Sequence, residues 1–140
     1  MGKPYTVRIL QHPDELAAYY QLRYERLRQP WNQPATRPDA EGESASIHMG
    51  AFDTDKLIGT VRLLHIDDQT MQLRSMAVAE SHQRRGVGSA ILRFAEQLTF
   101  EAGKRILMMH ARENAVAFYQ QSGYQIIEKS YMLFVVYPIV

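Results

Sequence analysis

The chain has 140 residues, a formal net charge of +1 and no cysteine. That length fits one domain over residues 1–140, with enough chain to bury roughly 70% of its unfolded surface. Charged residues are spread along the chain, so nothing suggests nucleic-acid binding as its main task, and the missing cysteines exclude disulfides, thiolate metal sites and a cysteinyl acyl-enzyme.

No apolar run is long enough to span a membrane, and the start, Met1-Gly2-Lys3-Pro4-Tyr5, lacks the apolar core of a secretion signal. Gly2 with Thr6 fits the loose myristoylation pattern, which is short and arises often by chance. A cytoplasmic location is expected.

Tyr5 to Leu10 reads as a short strand. Pro13-Asp14-Glu15 then opens a helix, with proline at its first position and acid in its first turn. Leu16, Tyr20, Arg23/Tyr24 and Leu27 follow at helical spacing, so the helix should reach about Gln29. Its aromatic stripe reads as core. Pro30 to Ser46 is a long loop with three prolines, and loops of that length inside a small domain are usually functional or disordered. Trp31, the one tryptophan, is either a lid or an anchor pinning the loop to the core. The sequence favours the anchor.

Three strands follow at Ile47–Phe52, Leu57–Ile66 and Met71–Val78, joined by short acidic turns that imply antiparallel neighbours. In the third, Met71 and Leu73 are apolar at odd positions, and Met76 and Val78 at even ones. Side chains alternate faces along a strand, so the pattern slips by one near Arg74-Ser75. A β-bulge there would leave backbone groups unpaired. Burial on both faces is the alternative. The turn Gln83-Arg84-Arg85-Gly86-Val87-Gly88 comes next, and a helix from about Gly86 packs through Val87, Ile91, Phe94 and Leu98. Glycines at 86 and 88 let the backbone approach a ligand. The helix start and two arginines favour phosphate. A solvated connection would look much the same. The turn fits neither the P-loop nor the Rossmann pattern.

Gly103 stops that helix. Ile106 to Met109 is an uninterrupted apolar run, expected inside the sheet and parallel to Met71–Val78. A short helix over Asn114–Ser122 ends at Gly123. Tyr124–Ile127 and Tyr131–Tyr137 close the sheet as a hairpin. The order β-α-β-β-β-α-β-α-β-β predicts an α/β fold: a mixed, mostly antiparallel central sheet flanked by helices.

Two segments carry a family resemblance. Gln83-Arg84-Arg85-Gly86-Val87-Gly88 resembles the [QR]-x-x-G-x-[GA] signature of the GNAT family of N-acetyltransferases, and it stands in the same strand–motif–helix context. Ala115 to Tyr124, AVAFYQQSGY, resembles the family's A-x-x-[LF]-Y-x-x-x-G-[FY] segment. Arg112 stands where many members have asparagine, with Asn114 two residues later. The resemblance is clear from about Ile47 to Tyr124.

The resemblance implies the GNAT-like acyl-CoA N-acyltransferase fold and acetyl transfer from acetyl-CoA to a primary amine. CoA would rest its pyrophosphate on the backbone of Arg84, Arg85, Gly86, Val87, Gly88 and Ser89, with Gln83 alongside. Its pantetheine arm would lie along Met76, Ala77 and Val78, in a gap where the two central strands part, with Phe118 and Tyr119 also at the cofactor. Tyr119 falls on the position of the acid that protonates the leaving thiolate; packing in the core is its other reading. Asn114 is an N-cap or a CoA contact. In the same way, the Pro30–Ser46 region would line the acceptor site, which strengthens the lid reading of Trp31.

An arriving amine must lose a proton. Some members carry a glutamate for this where the chain has Gln72, which cannot serve. His110, His65, Glu41, Glu43 or a water chain remain as bases. His48 and His82 have no pattern pointing to them. No His/Asp/Glu cluster has metal-ligand spacing, so no metal is expected. The acceptor is open among polyamine, amino sugar, amino acid, xenobiotic amine and protein amine. So are longer acyl groups and assembly, including a homodimer. The alternative function is a module that binds acyl-CoA without turnover; a purely structural partner-binding domain would need both motifs to be accidents.

Overall fold

A computed structural model describes residues 5–111, 115–129 and 133–138, with backbone alone from 127 onward. The chain forms two compact units. The first holds residues up to Arg62 together with Ser75–Phe94, and the second holds Leu63–Arg74 and everything from Ala95.

The first unit begins with β1 (Thr6–Ile9), antiparallel to β2 (Ile47–Asp53) from Thr6 opposite Phe52 to Ile9 opposite Met49. Between them α1 (Pro13–Arg23) starts with proline and two acids, as the sequence predicts. It runs on without a break as a π-helical turn over Tyr24–Arg28 and a 3-10 turn over Gln29–Trp31. Tyr19 is fully buried, and the aromatic stripe is indeed core: Leu10, Tyr19 and Phe52 pack together, with Leu16, Tyr20 and Leu57 against them. Next come β3 (Lys56–His65) and β4 (Thr70–Val78), giving the order β1-β2-β3-β4.

Helix α2 (Val87–Glu101) follows a 3-10 turn at Glu80–His82. Its first turn is seated on Gly59 of β3. A Cβ there would stand 3.0 Å from Ile91, 3.1 Å from Ala51 and 3.2 Å from Val87. A side chain there would press these neighbours by a few tenths of an ångström, so glycine suits the close approach of the helix.

In the second unit the order is β4-β5-β7-β6. Strand β5 (Ile106–Ala111) is parallel to β4 from Thr70 opposite Ile106 to Gln72 opposite Met108, and itself continues to Ala111. Its inner side chains Leu107, Met109 and Ala111 are buried, while His110 is exposed. Helix α3 (Val116–Gln121) leads into β6 (Gln125–Lys129) and β7 (Leu133–Pro138). These two are antiparallel, with a register shift between Ile126 and Glu128. Gly103 and Gly123, at φ +78° and +99°, end α2 and α3 as the sequence predicts.

Candidate functional site

In the middle of β4, Ser75 has φ +56°, a left-handed conformation rare for any residue but glycine. The alternation slip in the sequence marks this spot. The strained backbone is held from β3: Thr60 Oγ1 donates to the Ser75 carbonyl at 3.0 Å, and Arg62 Nε donates to Ser75 Oγ at 3.0 Å. Beyond Ser75, Met76 and Val78 are half-buried and Ala77 is buried.

The turn after β4 is fixed at its base. His82 is buried, with Nε2 2.8 Å from Asp53 Oδ2 at the end of β2 and Nδ1 2.8 Å from Ser81 Oγ. Gln83 Nε2 donates to the Val78 carbonyl at 3.4 Å. Arg84 then takes φ +62° and Gly86 φ +86°. A Cβ on Gly86 would meet nothing within 4 Å, so glycine serves the backbone conformation here rather than space. The first α2 hydrogen bond joins Ala90 N–H to the Gly86 carbonyl at 3.0 Å. The N–H groups of Val87, Gly88 and Ser89 come before it and have no acceptor within the helix. Arg84, Arg85 and Ser89 are exposed, while Val87 is buried and anchors the turn. Free N–H groups, a helix start and two solvent-facing guanidiniums together form an anion-binding arrangement.

The same unit holds a buried ionic cluster. Glu43 is 2% exposed and Arg23 is 4% exposed. Arg23 grips Glu43 with two bonds, Nη1 to Oε1 at 2.8 Å and Nη2 to Oε2 at 3.0 Å. Tyr20 donates its hydroxyl to Oε1 at 2.9 Å, and Arg62 Nη1 stands 3.5 Å from Oε2. Burial alone would raise the carboxyl pKa, but the Arg23 guanidinium, the Tyr20 hydroxyl and Arg62 hold it below the usual range. Burial and the bond to Glu43 push the Tyr20 phenol up to about 12.

His48 extends the network. Its Nε2 lies 2.8 Å from the Glu43 carbonyl and its Nδ1 lies 2.7 Å from the Tyr19 hydroxyl. A carbonyl only accepts, so Nε2 carries the proton and Nδ1 takes the Tyr19 hydrogen. Burial lowers the His48 pKa, and the ring is neutral. A pocket of about 480 Å³ opens beside this cluster, with Leu16, Ala17, Tyr20, Pro38, Glu43 and His48 in its wall.

In the second unit, Tyr119 of α3 is 7% exposed. Its ring sits edge-on to Phe118 at 5.1 Å and Tyr124 at 5.9 Å. Burial pushes its phenol up to about 12, so it holds its proton firmly at neutral pH. Tyr124 in turn donates to the buried Glu96 at 2.8 Å.

Residues 14–124 match the Acetyltransferase (GNAT) family. The chain belongs to the GNAT family of acetyltransferases. Its relatives include the uncharacterized N-acetyltransferase YjcF of Bacillus subtilis (strain 168), 27% identical over 125 residues and 89% of each chain. In structure this GNAT chain superposes on an aminoglycoside 6'-N-acetyltransferase complexed with coenzyme A. The TM-score is 0.79 at 15% identity, over 96% of this chain and 97% of that one. A GNAT acetyltransferase from Elizabethkingia anophelis with acetyl-CoA bound gives a TM-score of 0.73 at 15% identity, over 96% and 98%. The fold is the one the resemblance implies, and the GNAT enzyme takes its acetyl group from acetyl-CoA.

Several residues expected at the site of this GNAT chain lie within the described residues. Gln83 to Ser89 form the exposed turn and first turn of α2 within one unit, and Met76 to Val78 lie just past the left-handed Ser75. Asn114 and Arg112 lie outside the described residues. Glu43 cannot be the base, because each carboxylate oxygen already faces two donors. Glu41, His65 and His110 are exposed. Trp31 is 58% exposed, so it does not anchor the loop in a core. That role falls to Glu43, through its ionic bonds. Sequence reading missed Arg23, Arg62, Tyr19 and His48; the one available signal was Arg23 at helical spacing beside two tyrosines. Among the described residues, no group of three His, Asp or Glu side chains could hold a metal ion, and no helix is long and apolar enough to cross a membrane.

Proposed function

We propose that this acetyltransferase moves the acetyl group of acetyl-CoA directly to a primary amine, in the cytoplasm, with no covalent enzyme intermediate. The absence of cysteine removes the usual acyl-carrying nucleophile. The turn at Gln83–Ser89 takes the pyrophosphate through its backbone N–H groups, with Arg84 and Arg85 adding charge. The observation that carries this role is the pair of positive φ angles at Arg84 and Gly86 directly before an anchored helix start. By family resemblance the pantetheine arm runs along Met76, Ala77 and Val78, just past the left-handed Ser75, as an added strand would. An N–H in that stretch polarises the thioester carbonyl.

Tyr119 protonates the departing thiolate. A phenol with a pKa of about 12 is fully protonated at neutral pH and can donate. With Glu43 committed to two arginines, proton removal from the amine is left to His110, His65, Glu41 or a water chain. Asn114 and Phe118 are assigned to the cofactor by family position alone. The test is an amine panel with acetyl-CoA, reading free thiol. Thiol released together with acetylated amine supports transfer. CoA binding with no thiol released on any amine makes the domain a binding module.

A further inference from the structure

The pocket at α1 has the size of a small-molecule site, about 480 Å³ against the roughly 300–1,000 Å³ of typical ligand pockets. Its wall names a glutamate, a histidine and a tyrosine, which suggests a site for a cation. The hydrogen bonds say otherwise. Both Glu43 oxygens are taken, Oε1 by Arg23 and Tyr20 and Oε2 by Arg23 and Arg62. Both His48 nitrogens are taken, by the Tyr19 hydroxyl and the Glu43 carbonyl. The Tyr20 proton is spent on Glu43. Ser44 adds only an exposed hydroxyl that water can satisfy.

What the wall leaves to a ligand is the carbon surface of Leu16, Ala17, Pro38 and the Tyr20 and His48 rings. Behind it the Glu43 carboxylate is already paired with the Arg23 and Arg62 guanidiniums. A polycation finds no unpaired carboxylate in such a wall. An apolar group needs no such partner and gains from leaving water.

We propose that this pocket holds the apolar body of the acceptor, so that the enzyme acetylates hydrophobic amines, aromatic or branched aliphatic, in preference to polyamines and amino sugars. This rests on the acetyl-transfer reading above. The test compares phenethylamine and isoamylamine with spermidine and glucosamine in the wild type, in Ala17→Phe and in Ala18→Phe. Ala17 lines the pocket, and its exposed neighbour Ala18 serves as the control.

Wild type should favour phenethylamine over spermidine in kcat/KM by roughly 10–200-fold, the range one apolar group commands in a hydrophobic pocket. Ala17→Phe should raise KM for phenethylamine and leave KM for acetyl-CoA unchanged, and Ala18→Phe should change neither. Spermidine used as well as phenethylamine, or an unchanged phenethylamine KM in Ala17→Phe, overturns the proposal. No thiol from any amine overturns the transfer reading instead. Melting temperature with phenethylamine alone then decides the pocket: a shift lost in Ala17→Phe supports an apolar site, and no shift in wild type refutes it.

Discussion

Arg62 joins β3 to the left-handed Ser75 of β4 through its Nε, which donates to Ser75 Oγ at 3.0 Å. The same guanidinium uses Nη1 on Ser46 Oγ at 3.0 Å and stands 3.5 Å from Glu43. One buried cation therefore ties the left-handed residue of β4 to the loop that walls the pocket. Ser75 and Glu43 thus share one partner, beside the bonds Thr60 gives to Ser75 and Arg23 and Tyr20 give to Glu43.

Ser75→Val should lose both conditions that make φ +56° tolerable. A β-branched side chain is a clear outlier at positive φ, and the Arg62 Nε would be left buried without its acceptor. The expected loss is about 2 kcal/mol or more, from backbone strain and an unmade hydrogen bond. Urea unfolding measures it. A loss below about 0.5 kcal/mol, the scale of an ordinary surface change, would mean that the conformation is not held as described.

Glu43→Gln should be far worse than a surface charge change. It removes the carboxylate that pairs with two buried guanidiniums, and removing one partner of a buried pair costs about 3–5 kcal/mol. Chemical denaturation of the variant reads this directly. A near-neutral result would show that water reaches the cluster and replaces the carboxylate.

Stability should be greatest around neutrality and fall on both sides. Unfolded histidine takes up a proton near pH 6.5, but buried His48 resists it, so stability drops as pH falls below that value. Glu43, held below the usual carboxylate range, adds a further loss only at lower pH. Unfolded tyrosine ionises near pH 10, while Tyr20 and Tyr119 keep their protons to about 12. Between those values the unfolded chain releases protons that the native one retains, and stability falls as pH rises. Melting curves across pH 5–11 (a window set by these shifts) should show both limbs. Tyr119→Phe should flatten the alkaline one.

The element order was legible because each element announces itself locally. Pro13 with two acids opens α1, Val87 and Ile91 set the buried face of α2, and Gly103 and Gly123 close two helices. The one-residue slip in alternation falls at the left-handed Ser75. The ionic cluster was not legible, since Arg23 and Glu43 are 20 residues apart and nothing in a lone glutamate says what it will face. Trp31 misled because burial is the common fate of a single tryptophan in a polar loop. Here charge pairing at Glu43 holds the loop, and the indole is left largely exposed.

Gly88→Val places a branched side chain where the first turn of α2 offers its N–H groups. The fold should persist, because α2 is anchored by Val87 and Ile91 on Gly59. KM for acetyl-CoA should rise about tenfold or more, equivalent to a loss of roughly 1.4 kcal/mol in binding. A folded variant with unchanged CoA affinity would remove the phosphate role from this turn.

The central claim is direct transfer with Tyr119 as the acid, and kcat for Tyr119→Phe tests it most directly. The substitution keeps the ring against Phe118 and Tyr124 and removes only the hydroxyl. Loss of a general acid should cut kcat by roughly 10²–10⁴-fold with KM for acetyl-CoA little changed. The wild-type rate should hold level past pH 10, since the phenol ionises only near 12. A stable Tyr119→Phe enzyme with kcat within about threefold of wild type, far short of the loss a missing acid brings, would contradict the account and leave Tyr119 as packing.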